Sequence, residues 1–170
     1  GGVVDLESGT ATVTKGYLSW GWKEGVSVLN IRSASLYANG GSDTTFAFAE
    51  NGGSSSALNL LAPDALFDST ANGTARRVQL ALKAGNAHST VNLNAGLLVA
   101  NAFYASSAAT PTFFNFGGGT LRARSGLTAG NAASFLQGLS RATVYPGGAT
   151  FDIPGAADAV TVNQPLLAPE

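Results

Sequence analysis

Apolar side chains recur at every second position along most of this chain. Thr10-Ala11-Thr12-Val13-Thr14, Val26-Ser27-Val28-Leu29-Asn30-Ile31, Arg77-Val78-Gln79-Leu80-Ala81-Leu82 and Ala159-Val160-Thr161-Val162 all follow this rule. A period of two is that of a strand with one buried face. Between the alternating runs stand Gly and Asn clusters, at Ala38-Asn39-Gly40-Gly41, Asn51-Gly52-Gly53, Ala71-Asn72-Gly73, Gly117-Gly118-Gly119 and Pro146-Gly147-Gly148. These residues tolerate positive φ and mark corners and loops. Helical spacing is confined to Ala129 to Ser140, where Ala133, Leu136 and Leu139 fall near one face and predict a single weak turn.

Within the alternation a phrase repeats. Residues 30–38 (NIRSASLYA), 92–100 (NLNAGLLVA) and 115–123 (NFGGGTLRA) share Asn, an adjacent apolar residue, Gly or Ala four on, Leu six on and Ala eight on. A looser copy is Leu58-Asn59-Leu60 followed by Leu66. Each copy is a short strand, a small-residue corner and a second strand, too little to bury its own apolar face. Copies must therefore cover one another, which predicts an all-β fold, a β-solenoid of stacked coils. A β-sandwich is the alternative, although it does not require an Asn phrase in repeated register. The intervals between Asn30, Asn59, Asn92 and Asn115 vary, as expected if strands keep register while loops absorb insertions.

The repeated Asn admits three readings. An inward Asn at each corner can donate to and accept from the Asn one coil away, forming an amide ladder. The same side chains could instead line a polar ligand groove, or serve as turn residues on the surface. A longer similarity is also present. Gly1-Gly2-Val3-Val4-Asp5-Leu6, then Thr12-Val13-Thr14, is like Gly147-Gly148-Ala149-Thr150-Phe151-Asp152-Ile153, then Val160-Thr161-Val162. On that reading the end of the chain restarts the opening pattern, neither end is a cap, and coils stack on flanking repeats or on a second copy.

Composition narrows the class. The chain has 170 residues, suited to a single β-solenoid domain or a segment of a longer repeat protein, with a less regular insertion around 41–88. Only 11% of residues are charged, so charge-driven disorder is excluded, and 45% are hydrophobic, enough for a core. With nine basic and ten acidic residues there is no basic stripe for nucleic acid. Arg122 and Arg124 alternate along an expected strand and share one solvated side. No apolar run reaches the length of a membrane-spanning helix. Cysteine is absent, which rules out disulfides, thiolate metal sites and a cysteine nucleophile. A chain that starts Gly1-Gly2 without Met reads as processed or cut from a longer polypeptide.

Ser89-Thr90-Val91-Asn92-Leu93-Asn94-Ala95-Gly96-Leu97 and Thr112-Phe113-Phe114-Asn115-Phe116-Gly117-Gly118-Gly119-Thr120-Leu121-Arg122-Ala123 resemble the autotransporter-associated β-strand repeats of large bacterial surface proteins. Phe135-Leu136-Gln137-Gly138-Leu139, Ala142-Thr143-Val144-Tyr145, Gly147 to Asp152 and Val160 to Leu166 are similar to the tract that follows such repeats in autotransporter passengers and sortase-sorted exoproteins. The likeness covers residues 89–168 well, residues 1–40 loosely and the middle not at all. It implies a right-handed parallel β-helix at the cell surface or outside the cell, serving as stalk, adhesin or matrix component. No catalytic residues come with these motifs.

Candidate chemistry is sparse. β-Helical polysaccharide enzymes need clustered carboxylates. The best pair here is Asp64 and Asp68, of which Asp64 follows Pro63 in a turn and Asp68 ends a strand. His88 is the sole histidine and reads as a surface loop residue. No catalytic, metal or cofactor site is assigned, and the chain is read as a non-enzyme. The aromatic group Tyr17, Trp20 and Trp22 offers a carbohydrate-binding or adhesive alternative, with glycans as partners; the plainer reading is that these rings fill the core or cover an open edge. Phe114 and Phe116 are expected to stack inside, with Phe113 on the other side.

Overall fold

Alternating strands with one apolar face find their partners one coil away rather than next in sequence. The computed structural model describes residues 1–14, 19–21, 23–38, 45–49, 52–70, 77–81, 87–105, 111–126 and 134–170, and among these there is no helix. Every strand pairing is parallel, and the coils form a β-solenoid of about five turns. The first coil holds β1 (Gly2–Val13) and β2 (Ser19–Trp20), and the second holds β3 (Gly25–Ala38) and β4 (Thr45–Phe48). The third holds β5 (Ser54–Leu60), β6 (Leu66–Asp68) and β7 (Arg77–Leu80). The fourth has β8 (His88–Leu93), β9 (Leu97–Ala100) and β10 (Ala102–Ala105); the fifth has β11 (Thr112–Phe116), β12 (Thr120–Ala123) and β13 (Leu136–Gln137). Last come β14 (Arg141–Val144), β15 (Thr150–Asp152) and β16 (Leu166–Leu167).

These strands make three faces. The first runs from the front of β1 and β3 through β5, β8, β11, β14 and β16; the second from the back of β1 and β3 through β6, β9, β12 and β15. Because β1 and β3 turn the corner without a break, the two faces are joined into one eleven-stranded sheet. The third face is β2, β4, β7, β10 and β13. Residues 41–88, expected as an insertion, instead supply β4 to β7, each in register with coils on both sides.

Inward positions form apolar columns. On the first face one column is Leu6, Ile31, Leu60, Leu93, Phe116 and Val144; beside it run Val4, Leu29, Leu58, Val91, Phe114 and Ala142. On the second face Ala11, Leu36, Phe67, Leu98, Leu121 and Phe151 line up. The middle members are fully buried, and Phe114 and Phe116 stack with ring centroids 4.5 Å apart, while Phe113 lies on the outer side. The third face contributes Val78, Phe103 and Leu136, with Phe103 edge-on to Phe114 at 5.4 Å. Such interdigitation replaces water contacts with dispersion contacts along the whole axis.

Several expectations change here. The looser Asn copy has two more residues in its corner, so Phe67 rather than Leu66 stands in the inner column; Leu66 sits outside, opposite Ser35 and Leu97. Of the expected turn at Ala129 to Ser140, residues 129–133 lie outside the described residues, and Leu136–Gln137 is strand paired to Phe103–Tyr104. The neighbouring coil supplies backbone hydrogen-bond partners that an isolated segment lacks, overriding its weak helical spacing. Ala159-Val160-Thr161-Val162 is reduced to one bridge, Val162 to Leu136, because β13 offers only two residues to pair with. Nor does the end restart the beginning: Asp5 is on the first face opposite Asn30, whereas Asp152 is on the second opposite Arg122. At the corner after β14, Gly147 lies so close to the coil below that a Cβ would stand 1.9 Å from the Gly117 carbonyl oxygen. Gly147 thus answers coil-to-coil approach, while Gly148, at φ +86°, answers the backbone turn.

Candidate functional site

The phrase Asn residues come together, on the outside. Asn30, Asn59, Asn92 and Asn115 occupy one register position near the end of the first-face strands. Their neighbours Leu29 and Ile31, Leu58 and Leu60, Val91 and Leu93, and Phe114 and Phe116 point inward and are buried, so alternation sends the amides to the outer surface. The inward corner placement expected from sequence is therefore corrected: the columns inside are apolar and the half-buried amides face out. The ladder itself is continuous. Asn59 Nδ2 donates to Asn30 Oδ1 at 2.7 Å, Asn92 Nδ2 to Asn59 Oδ1 at 2.7 Å, and Asn115 Nδ2 to Asn92 Oδ1 at 2.8 Å.

This ladder has a direction. Every amide donates toward the first coil, and the series ends where Asn30 Nδ2 donates to Asp5 Oδ1 at 2.8 Å. The aligned amide dipoles thus place their positive end on a carboxylate, much as a helix N-terminus favours an anion. Arg32 lies beside that carboxylate, with Nη2 at 3.8 Å from Asp5 and Nε at 3.0 Å from Glu7. At the opposite end Thr143 follows Asn115 in register, and its Oγ1 accepts from Arg141 Nε at 3.2 Å. A cation and a hydroxyl donor thus stand where the dipoles turn negative. Asp5 ends the series chemically, since an ionised carboxylate accepts but cannot donate onward. Asp5 does not match the Asn phrase, yet DLESGTATV at 5–13 carries Asp5, Gly9, Ala11 and Val13 at the phrase spacing.

Of the aromatic group, Tyr17 and Trp22 lie outside the described residues. Trp20 is half-buried in β2, opposite Phe48, and packs against the core at the free edge of the third face. Its Nε1 and the Ser19 hydroxyl are buried without hydrogen-bond partners. A cavity of about 270 Å³ opens beside it between Val4, Ser19, Gly21 and Ser27. His88 is exposed and begins β8 rather than lying in a loop. Asp68 is committed locally, accepting from Thr70 N at 2.6 Å and Thr70 Oγ1 at 2.8 Å. Arg122 and Arg124 do share the outer side of the second face, where Arg122 pairs with Asp152 at 2.6 Å. Among the described residues, no group of three acidic or histidine side chains is placed to hold a metal ion.

A second feature of the outer first face was not found from sequence. Beyond the ladder's last amide lies a groove of about 370 Å³. Phe113 and Tyr145 stand at diagonal positions, with Asn115 and Thr143 between them and Thr90, Phe113 and Arg141 in register alongside. Arg141 is held by three acceptors: Thr143, the Ala168 carbonyl at 2.9 Å and the Glu170 carboxylate. Its residues come from three coils and the terminal segment, so no local motif announces it.

No family model matches this chain, and no characterised protein or solved structure is significantly similar to it.

Proposed function

We propose that this chain is an extracellular structural segment of a bacterial surface or matrix protein, a β-solenoid whose ends join further coils. What carries the reading is the distribution of exposed large apolar side chains. Val4 is exposed in the first coil and Ile153, Val162, Leu166 and Leu167 in the last, while Val3, Val26 and Tyr145 are exposed on the outer side near the two ends. Among the described residues, the remaining exposed large apolar side chain is Leu61. Apolar side chains left uncovered in the first and last coils are what another coil would cover, since each solenoid coil is stabilised by its neighbours. β1 pairs only β3, so its other edge is open to a parallel strand, either from flanking repeats or from a second copy. The resemblance to autotransporter-type repeats supports the extracellular placement and the stalk, adhesin or matrix role.

The ladder qualifies how such a joint is built. Because Asp5 cannot donate, an added coil at that end would be held by apolar columns and backbone bonds rather than by an extended amide series. Electron microscopy and fibre diffraction of the purified chain test the reading. Rods that lengthen with concentration, persist in high salt and diffract at about 4.8 Å along their axis are expected. A strictly monomeric particle of single-chain length at millimolar concentration would overturn joining to a second copy.

A further inference from the structure

We infer that the groove beyond the last ladder amide is a binding site for a neutral oligosaccharide. It is independent of end-to-end joining, because it lies on the side of the first face. Its volume of about 370 Å³ falls in the range of small-ligand sites, which are apolar with a few placed polar groups. Phe113 and Tyr145 supply the apolar part: Phe113 is half-buried and Tyr145 is 43% exposed. Four residues along the strand and one coil across, they stand roughly 14 Å apart, so a ligand touching both must be longer than one sugar ring.

The polar part is arranged between them. Asn115 gives its Nδ2 to Asn92, and its Oδ1 receives no donor from the described residues. It is the ladder's unfilled acceptor, facing the groove at the negative end of the aligned amides. Thr90 adds a hydroxyl that both donates and accepts, and Thr143, largely buried and accepting from Arg141 Nε, adds a second. Arg141 and Glu170 neutralise each other, so the site has no net charge to attract an ion, yet both retain hydrogen-bonding capacity at their edges. Aromatic faces flanking amide and hydroxyl groups match a pyranose, whose C–H faces are apolar and whose rim carries hydroxyls.

A peptide fits this place less well. Extended peptides add to a free strand edge, and here β11 is paired on both sides, by β8 and β14, while β14 is paired by β11 and β16. Recognition must come from side chains alone, which favours a hydroxyl-rich ligand.

Saturation-transfer and amide-shift NMR on the intact chain, with cellotriose and chitotriose as probes, test the inference. Binding of either sugar is expected, with shifts centred on Thr90, Phe113, Asn115, Thr143 and Tyr145. Phe113→Ala and Tyr145→Ala should each weaken it about tenfold, the equivalent of ~1.4 kcal/mol. Both side chains project outward, so the variants are expected to fold; matching thermal melts check this. No saturation transfer to either sugar, shifts centred elsewhere, or affinity unchanged in both folded variants would overturn it. So would binding of a proline-rich peptide through these residues in place of either sugar. Rod formation, read separately, should not change in the two variants.

Discussion

The inside and the outside of the first face obey different rules. Inside, one column passes through Val4, Leu29, Leu58, Val91, Phe114 and Ala142, with no residue repeated in successive coils except Leu. Outside, a residue's width away, four successive coils present Asn at one position. Apolar packing is non-directional and asks only that summed volumes fill the space, so Phe in one coil can be offset by Ala in the next. An amide ladder is directional. Each member must accept from one neighbour and donate to the other at fixed spacing, which the Asn amide does through two separate groups on one planar head. Identity is thus conserved along the chain where bonds have direction, and only character where they do not.

Substitutions that separate the two rules differ in expected size. The largest effect belongs inside: Phe116→Ala, which empties a fully buried column position, should cost about 3–5 kcal/mol in chemical denaturation. A loss under about 1 kcal/mol would mean that the inner columns carry far less than their burial implies. Asn59→Ala removes two ladder bonds at once, to Asn30 and from Asn92, and should cost about 1–2 kcal/mol. Asn59→Leu should be no better, whereas a swap of Leu58 for Ile should be tolerated; equal tolerance at both positions would erase the contrast.

Direction can be probed more finely. Asn59→Asp keeps the acceptor for Asn92 but sets a carboxylate against Asn30 Oδ1, an acceptor facing an acceptor. The charged form is disfavoured, so the folded pKa of that Asp should lie above its unfolded value of about 3.9. With the folded pKa raised, the variant should regain stability relative to the parent as pH falls through the folded pKa, and lose it as pH rises. Equal denaturation midpoints relative to the parent at pH 3.5 and pH 7 would remove the directional account. The smallest effect is expected at the end of the series. Asp5→Asn keeps an acceptor for Asn30 on an exposed coil, and should change stability by about 0.5 kcal/mol at most.

Much of this architecture is readable along the chain, and the limits have identifiable causes. The Asn phrase aligns Asn30, Asn92 and Asn115 correctly because each copy keeps its inner Leu six positions on from the amide. It misleads at Asn59, where a longer corner shifts the partner from Leu66 to Phe67. The third face escapes the phrase altogether, since β2 and β13 are two residues long and carry no period of their own. The groove is spread over residues 90 to 170, and only coil stacking brings Thr90, Phe113 and Arg141 into one row.

By itself the amino-acid order determined that strands alternate, that they stack in register and that one Asn recurs per coil, because periodicity and repetition are properties of the chain. Which way that Asn points was decided only by the closing of three faces around an apolar interior. Alternation states that Asn and its neighbours lie on opposite sides, and burial of Leu29, Leu58, Val91 and Phe114 assigns the sides. The direction of the ladder and the groove at its end were likewise settled by contacts between residues 23 to 33 apart, which no local pattern encodes.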